Sequence, residues 1–112
     1  MKEKIDIHNV TMISDGTIIE GNVNSKGNVR IDGTVRGNVI ATGLVTQGVK
    51  SEIFGDIVAT SCILGGKVEG NIACEGKLSI EAKALVRGDL KAKLLVVEEG
   101  ALFNGSSEMQ SL

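Results

Sequence analysis

The chain repeats one short unit six times, and the interval between the copies limits the folds that it can adopt. The unit is an aliphatic residue, a variable residue, glycine, asparagine or aspartate, and a second aliphatic residue, as in residues 35–39 (VRGNV). The last copy, residues 103–107 (FNGSS), is degenerate and keeps the glycine. The glycines of the six copies are Gly21, Gly37, Gly55, Gly70, Gly88 and Gly105. They are 16, 18, 15, 18 and 17 residues apart. This interval is too short for a repeat of two helices and indicates a solenoid of strands.

Between the glycines, apolar residues alternate with polar ones, which is typical of strands that bury one face. The clearest stretch lies between the first two glycines, and its inward positions are Val23, Ser25, Val29, Ile31 and Val35. Continued along the chain, the same alternation places Val49 and Ile63 in the interior. The glycines mark the points where the chain must turn.

Two recurring positions support this register. The residue two places after each of the first five units is small: Ser25, Ala41, Ala59, Cys74 and Ala92. We expect these residues to face a crowded interior bend. The residue after the glycine of these five units is Asn22, Asn38, Asp56, Asn71 or Asp89. Asparagine and aspartate bond nearby backbone in turns, and stacked copies can bond their neighbours in a ladder.

The residue before the glycine carries the predicted surface contacts. On adjacent turns this position pairs Glu20 with Arg36 and Glu69 with Arg87. Strands of neighbouring turns lie about 4.8 Å apart, so ion pairs can form between them. Phe54 occupies the same position, and we expect it to cover the stem of Arg36.

The composition excludes several functional classes. The net charge is −2, no basic face is visible, and only two residues are aromatic, so we expect no nucleic-acid binding. No apolar run approaches the roughly 20 residues of a membrane span, and the N-terminus lacks a signal-peptide core. These features favour a cytoplasmic protein. Cys62 and Cys74 form no metal motif with His8, the only histidine, so we expect reduced structural thiols and no cofactor.

We therefore predict an all-β, single-domain parallel β-helix of about five to six rungs, with short flexible tails. The expected domain covers residues 13–105, after a flexible leader over residues 1–12 and before a tail over residues 106–112. A β-helix has no lateral edge, but each of its ends exposes a turn of unpaired backbone groups.

The sequence shows no strong cap for either end, so we expect end-to-end assembly into filaments. At the C-terminal end the expected interface residues are apolar: Phe103, Leu102, Val97 and Leu95. At the N-terminal end they are Ile13, Ile18 and Ile19. Two alternatives remain open at this point. Phe103 could plug the core beneath a folded-back tail, and the leader could fold over the other end.

Two further surfaces are candidates for contacts. Ile40 and Val58 fall on outward positions of adjacent rungs and form a possible lateral strip. The leader residues Lys2, Lys4, Ile5 and Ile7 form a possible tether to a membrane surface or a partner. The leader is short of positive charge for binding anionic lipid, because Glu3 stands between its two lysines.

The whole array resembles the bactofilins, a family of bacterial polymer-forming cytoskeletal proteins. The resemblance covers about residues 13–105. It rests on GTIIEGNV (16–23), GTVRGNV (33–39), VEGNI (68–72), VRGDL (86–90) and VVEEGALFNG (96–105).

The resemblance implies a right-handed parallel β-helix that forms filaments end to end without nucleotide, with Phe103 at a polymer interface. It also implies attachment to the inner face of the cytoplasmic membrane and roles in cell shape, protein localisation or motility. Many members begin with a lysine-rich membrane-targeting peptide, which residues 1–4 (MKEK) match poorly. An envelope protein or a paralogue could supply that attachment.

Two other functions compete with the filament. A β-helix scaffold or adaptor that does not polymerise would share the same core. An acyltransferase on a left-handed β-helix would require strict hexads and a histidine between rungs. Here the rungs vary in length and His8 lies outside the array, so we expect a structural protein and not an enzyme.

Overall fold

The computed structural model describes residues 10–109, and in that range the chain contains strands and turns but no helix. Each turn of the chain contains three short strands and is called a rung. Rung 1 is β1 (Val10–Ile13), β2 (Ile18–Glu20) and β3 (Val23–Ser25). Rung 2 is β4 (Asn28–Ile31), β5 (Thr34–Arg36) and β6 (Val39–Ala41); rung 3 is β7 (Leu44–Gln47), β8 (Glu52–Phe54) and β9 (Ile57–Ala59). Rung 4 is β10 (Ser61–Leu64), β11 (Lys67–Glu69) and β12 (Ile72–Cys74); rung 5 is β13 (Lys77–Ile80), β14 (Leu85–Arg87) and β15 (Leu90–Ala92). Rung 6 is β16 (Leu94–Val97), β17 (Leu102–Asn104) and β18 (Ser107–Met109).

The rungs stack in register and form three parallel sheets. Sheet A contains the first strand of each rung, sheet B the second and sheet C the third. Each strand pairs in parallel with its counterparts on the adjacent rungs; Val35, for example, lies between Ile19 and Ile53. Inward side chains therefore stack on similar side chains, and aliphatic residues with a few small ones fill the interior. The predicted parallel β-helix of about five to six rungs is confirmed, with six rungs.

The corners between sheets explain why the repeat length varies. The corner between sheets B and C always has two residues, a glycine followed by asparagine, aspartate or serine. The corner between sheets A and B has four residues in rungs 1, 3, 5 and 6, but only two in rungs 2 and 4. The corner between sheets C and A has one or two. Insertions therefore occur in the corners, and the strands keep their register.

The asparagine and aspartate residues form the predicted ladder along the corner between sheets B and C. Each side-chain oxygen accepts a hydrogen bond from the backbone N–H at the same position of the next rung. The donor–acceptor distances are 2.9 Å for Asn22 to Asn38, 2.9 Å for Asn38 to Asp56, 3.0 Å for Asp56 to Asn71 and 3.1 Å for Asn71 to Asp89. At the C-terminal end Ser106 donates its hydroxyl to Asp89 over 2.8 Å.

Two of the predicted inward positions were wrong because corners break the alternation. Val49 is 61% exposed, and Gln47 is buried instead. Strand β7 ends at Gln47, and the four-residue corner that follows carries Val49 outward. Ile63 faces outward because a single residue, Thr60, separates β9 from β10. The shorter corner shifts the alternation by one, so Cys62 and Leu64 face inward.

The surface contacts agree with the prediction only in part. Glu69 lies 3.9 Å from Arg87, as expected, and 3.3 Å from Lys67. Glu20 and Arg36 are register neighbours, but they are not among the ion pairs of residues 10–109. Phe54 is the register neighbour of Arg36, and the amine of Lys67 on the following rung lies 5.4 Å from its ring centroid. Exposed pairs of this kind contribute a few tenths of a kcal/mol each.

The repeat extends farther than the predicted limits of residues 13 and 105. Residues 10–12 belong to β1, which pairs with β4, and residues 107–109 form β18, which pairs with β15. Backbone pairing continues here although the sequence pattern weakens, because the ladder uses N–H and C=O groups that every rung supplies. Residues 1–9 and 110–112 lie outside the described part of the chain, so the predicted flexible leader and tail stay predictions there.

Gln47 is a buried polar residue in an otherwise aliphatic column, between Ile31 and Leu64. Its side-chain oxygen accepts a hydrogen bond from the N–H of Gly66 over 3.1 Å. Its amide nitrogen donates to the carbonyl of Lys67 over 2.8 Å and lies 3.4 Å from the carbonyl of Ser51. Gln47 thus satisfies backbone groups where a four-residue corner stacks on a two-residue corner.

Replacing Gln47 with leucine should therefore destabilise the fold although leucine suits the column. The change removes the side-chain partner of the buried Gly66 N–H and of the Lys67 carbonyl, and a buried group left unsatisfied costs about 1–3 kcal/mol. We expect the free energy of unfolding to fall by about 2–4 kcal/mol in urea titrations. Ile80→Leu in the same column is the control and should cost less than about 1.5 kcal/mol. Equal stability of the two variants would contradict this role of Gln47.

Candidate polymer interfaces

Both ends of the solenoid expose strand edges. The three strands of rung 1 and the three strands of rung 6 each pair with a neighbouring rung on one side only. The other edge of each of these strands therefore carries backbone N–H and C=O groups without a neighbouring strand among residues 10–109. Such edges are templates for pairing with another chain.

At the N-terminal end, the interior columns end in a mainly apolar face. Ile13 is buried beneath this end, while Ile19 and Val23 are half-buried and pack against the core. Thr11 and Ser25 complete the face, and their hydroxyl oxygens lie 3.4 Å apart. The face therefore has an aliphatic centre and one polar pair where sheets A and C approach each other.

The C-terminal end is a second apolar face. Leu95, Ala101 and Phe103 are half-buried and pack against the core, whereas Val97 is 47% exposed. Phe103 is the last residue of the inward column that contains Val68 and Val86. Its ring therefore occupies the position that a valine fills on the two rungs before it.

The predicted interface residues divide between the end faces and the sides of the solenoid. Five of them lie on the interior columns that reach the ends: Phe103, Val97, Leu95, Ile13 and Ile19. Ile18 and Leu102 alternate with inward residues and point outward from sheet B, with exposures of 62% and 63%. These two side chains therefore border the end faces from outside.

The sequence reasoning missed four apolar residues on the outer face of sheet A, which we call the terminal collars. Val10 and Met12 form the collar of rung 1, and Leu94 and Val96 that of rung 6. All four are exposed, from 38% for Val96 to 69% for Met12. The run LLVV in β16 was the available signal, since a strand with every position apolar presents apolar residues on both faces.

The remaining candidate residues lie away from the ends or outside the described range. Ile40 and Val58 are register neighbours on the outer face of sheet C, with exposures of 41% and 47%. Together with Ala73 they line a shallow depression. The possible tether of Lys2, Lys4, Ile5 and Ile7 lies outside the described residues.

Other kinds of site are not found in residues 10–109. That range contains no group of three or more histidine, cysteine or acidic residues placed to hold a metal ion. It also contains no helix long and apolar enough to cross a membrane. Cys62 and Cys74 are free thiols in the core. The two end faces are thus the most distinctive surfaces of the described structure.

A family model for bactofilins, described as polymer-forming cytoskeletal proteins, matches residues 11–108. The chain belongs to the bactofilin family. Bactofilin BacO of Myxococcus xanthus (strain DK1622) is 29% identical over 100 residues, which cover 88% of this chain and 79% of BacO. The family membership agrees with the resemblance that the repeated units carry.

Two solved bactofilin structures have the same fold. A cryo-EM reconstruction of Thermus thermophilus bactofilin double helical filaments matches with a TM-score of 0.85 and 35% identity, over 89% of this chain and 99% of that one. The structure of the cytoskeletal bactofilin BacA, from solid-state NMR, matches with a TM-score of 0.80 and 30% identity, over 93% and 99%. This bactofilin is therefore a self-assembling cytoskeletal protein, and the prediction of a structural protein instead of an enzyme is confirmed.

Proposed function

We propose that the chain polymerises end to end through the apolar faces of rungs 1 and 6, without nucleotide. The observation that carries the proposal is that the interior columns of both terminal rungs end in solvent-facing aliphatic and aromatic side chains. Joining two ends removes this apolar surface from water, with a gain of about 25 cal/mol for each Å² buried. The exposed strand edges supply backbone hydrogen bonds at the same contact.

The terminal collars support the same contact. Val10 and Leu94 occupy one outward column of sheet A, and Met12 and Val96 occupy the next. Where sheet A continues from one copy to the next, collar residues become cross-strand neighbours and cover each other. Apolar pairs of this kind contribute about 0.2–1 kcal/mol each.

The test is assembly of the purified chain in buffer treated with apyrase and EDTA, followed by sedimentation and negative-stain microscopy. We expect filaments, because the contacts described here require no phosphate or metal. We also expect the filaments to persist in high salt, because ions screen charge interactions but not apolar burial. A monodisperse small species at high protein concentration would favour the non-polymerising scaffold.

The proposal extends to a scaffold at the cell envelope, with roles in cell shape, protein localisation or motility. The family resemblance supports this location on the cytoplasmic side of the membrane, held by the leader or by an envelope partner or paralogue. The test is flotation with phosphatidylglycerol vesicles, with phosphatidylcholine vesicles as the neutral control. If the leader is the tether, removal of residues 2–8 abolishes flotation; equal flotation of both forms would exclude the leader.

A further inference from the structure

The only two cysteines of the chain face each other inside rung 4. Cys62 lies on β10 of sheet A and Cys74 on β12 of sheet C, with exposures of 1% and 2%. Their Sγ atoms are 2.9 Å apart. The equivalent positions of rung 1 hold Thr11 and Ser25, whose hydroxyl oxygens are also in contact. The fold therefore brings these two positions together across the interior.

The neighbours of the pair are apolar, so each thiol has the other as its polar partner. Cys62 stacks between Val45 and Leu78, and Cys74 stacks on Ala59. The hydrogen bond that the thiols share, together with burial, raises the pKa of Cys62. The same hydrogen bond lowers the pKa of Cys74. Cys74 is thus the thiol that ionises first and the better nucleophile.

The wall over the pair is thin. Cys74 lines the depression on sheet C together with Thr60 and Glu75, and Cys62 lines a second depression on sheet A together with Ser61. The corner between the two sheets contains Thr60 alone before rung 4 and two residues, 75–76, after it. A small oxidant therefore has to pass one layer of exposed corner residues.

We propose that Cys62 and Cys74 are an oxidation site at which hydrogen peroxide forms an internal disulfide that closes rung 4 covalently. A disulfide requires the sulfur atoms to move about 0.9 Å closer than their present 2.9 Å. The bond would join sheet A to sheet C across the core and enclose residues 62–74.

The reaction uses one molecule of peroxide. The Cys74 thiolate attacks one peroxide oxygen, the O–O bond breaks, and the departing hydroxide takes a proton and leaves as water, which gives a sulfenic acid on Cys74. The Cys62 sulfur then attacks the Cys74 sulfur as its proton passes to the leaving hydroxide, which departs as the second water. Two thiols lose two electrons in total, and both peroxide oxygens are reduced to water.

Closing the rung restricts the unfolded chain and should make unfolding more difficult. Rung 4 has rungs on both sides, so the bond leaves the end faces unchanged. Oxidation should therefore strengthen a subunit without altering the surfaces proposed for assembly. The inference does not depend on the proposed polymer contacts.

The test treats the full folded chain with hydrogen peroxide and analyses it without reduction. We expect the intact mass to fall by two hydrogen atoms and tryptic peptides 51–67 and 68–77 to be linked. We also expect the urea midpoint to rise and to return to its initial value on reduction, while negative-stain images of oxidised and reduced samples are alike. Cys74→Ala and Cys62→Val match the column neighbours Ala59 and Val45 and serve as folded controls without the link.

Addition of oxygen atoms, or disulfide-linked dimers in place of the internal link, would overturn the proposed site. A link that forms only in urea would also overturn the site, because the folded core would then not hold the two thiols in a geometry that allows the disulfide to form. An unchanged or lower urea midpoint in the linked protein would overturn the strengthening of rung 4. Loss of filaments on oxidation alone would contradict the separation of this site from the end faces.

Discussion

Replacing Phe103 with arginine should leave the subunit folded but prevent filament formation. Phe103 lies on the last rung and is only half-buried, so the arginine side chain can leave the open end and reach water in the monomer. In a filament the guanidinium would be buried against the apolar end of the next copy. An unpaired buried charge costs about 3–5 kcal/mol. The concentration needed for assembly should therefore rise by about 100-fold or more.

Phe54→Arg is the matched control, since Phe54 is the only other aromatic residue and lies on an outward position of rung 3. This variant should form filaments at the parental concentration in sedimentation assays. Filaments of the Phe103 variant at the parental concentration would exclude Phe103 from the interface. A matching loss of filaments in both variants would point to a general effect of added charge.

The species that remain after the Phe103 substitution reveal how the ends meet. If one end face binds the opposite end face of the next copy, blocking one face leaves monomers. If each face binds its own kind, the variant retains the N-terminal contact and forms dimers. Ile19→Arg tests the other end in the same way, and light scattering gives the mass of the product in each case.

Replacing Gly70 with alanine should strongly lower the free energy of unfolding. A methyl group on Gly70 would overlap the carbonyl oxygen of Gly55 on the rung before it. The φ angle of Gly70 is also +153°, which side chains disfavour. Both strands are held by hydrogen bonds to neighbouring rungs, so neither can move away. We expect a loss of about 4 kcal/mol, a large part of the 5–15 kcal/mol that is typical of a domain.

Gly21→Ala separates the two contributions. Gly21 occupies the same position in rung 1 with a φ angle of +136°, but a methyl group there meets nothing within 4 Å. This variant should lose only about 1–2 kcal/mol, from the backbone conformation. Urea titration of both variants is the measurement. Similar losses at Gly70 and Gly21 would mean that the close stacking of the glycines does not limit the fold.

The features that recur at the same spacing in every rung were predictable from the sequence. The corner between sheets B and C has the same two-residue length in every rung, so its glycines, its asparagine and aspartate ladder and its flanking aliphatic residues were assigned correctly. The small column from Ser25 to Ala92 was predictable for the same reason, because it lies at a fixed distance from that corner.

The parts that depend on corner length were not predictable by counting. Inward and outward side chains alternate regularly within a strand but not across a corner. The four-residue corner after Gln47 and the one-residue corner at Thr60 therefore caused Val49 and Ile63 to be assigned to the interior. Gln47 itself looks like a surface residue in the sequence. Its burial follows from backbone groups of residues 66 and 67, which reach it only when two corners of different length stack.

The positions of the two end faces were predictable from the sequence, but the full set of residues at and around them was not. The weakening of the repeat at Phe103 located the C-terminal face. The collar residues Val10 and Met12 were missed because the domain was expected to begin at Ile13, and a strand's outward face cannot be assigned before the strand is recognised. Ile18 and Leu102 border the ends instead of lining them, since alternation turns them outward.

The most direct test of end-to-end assembly is the diffraction of aligned filaments or the Fourier transform of their electron micrographs. Neighbouring rungs lie about 4.8 Å apart along the solenoid axis. If the ends join, that axis follows the filament, and the 4.8 Å reflection lies on the meridian with a subunit repeat of about 29 Å or twice that value. A 4.8 Å reflection on the equator would mean that subunits join side by side and would contradict the account.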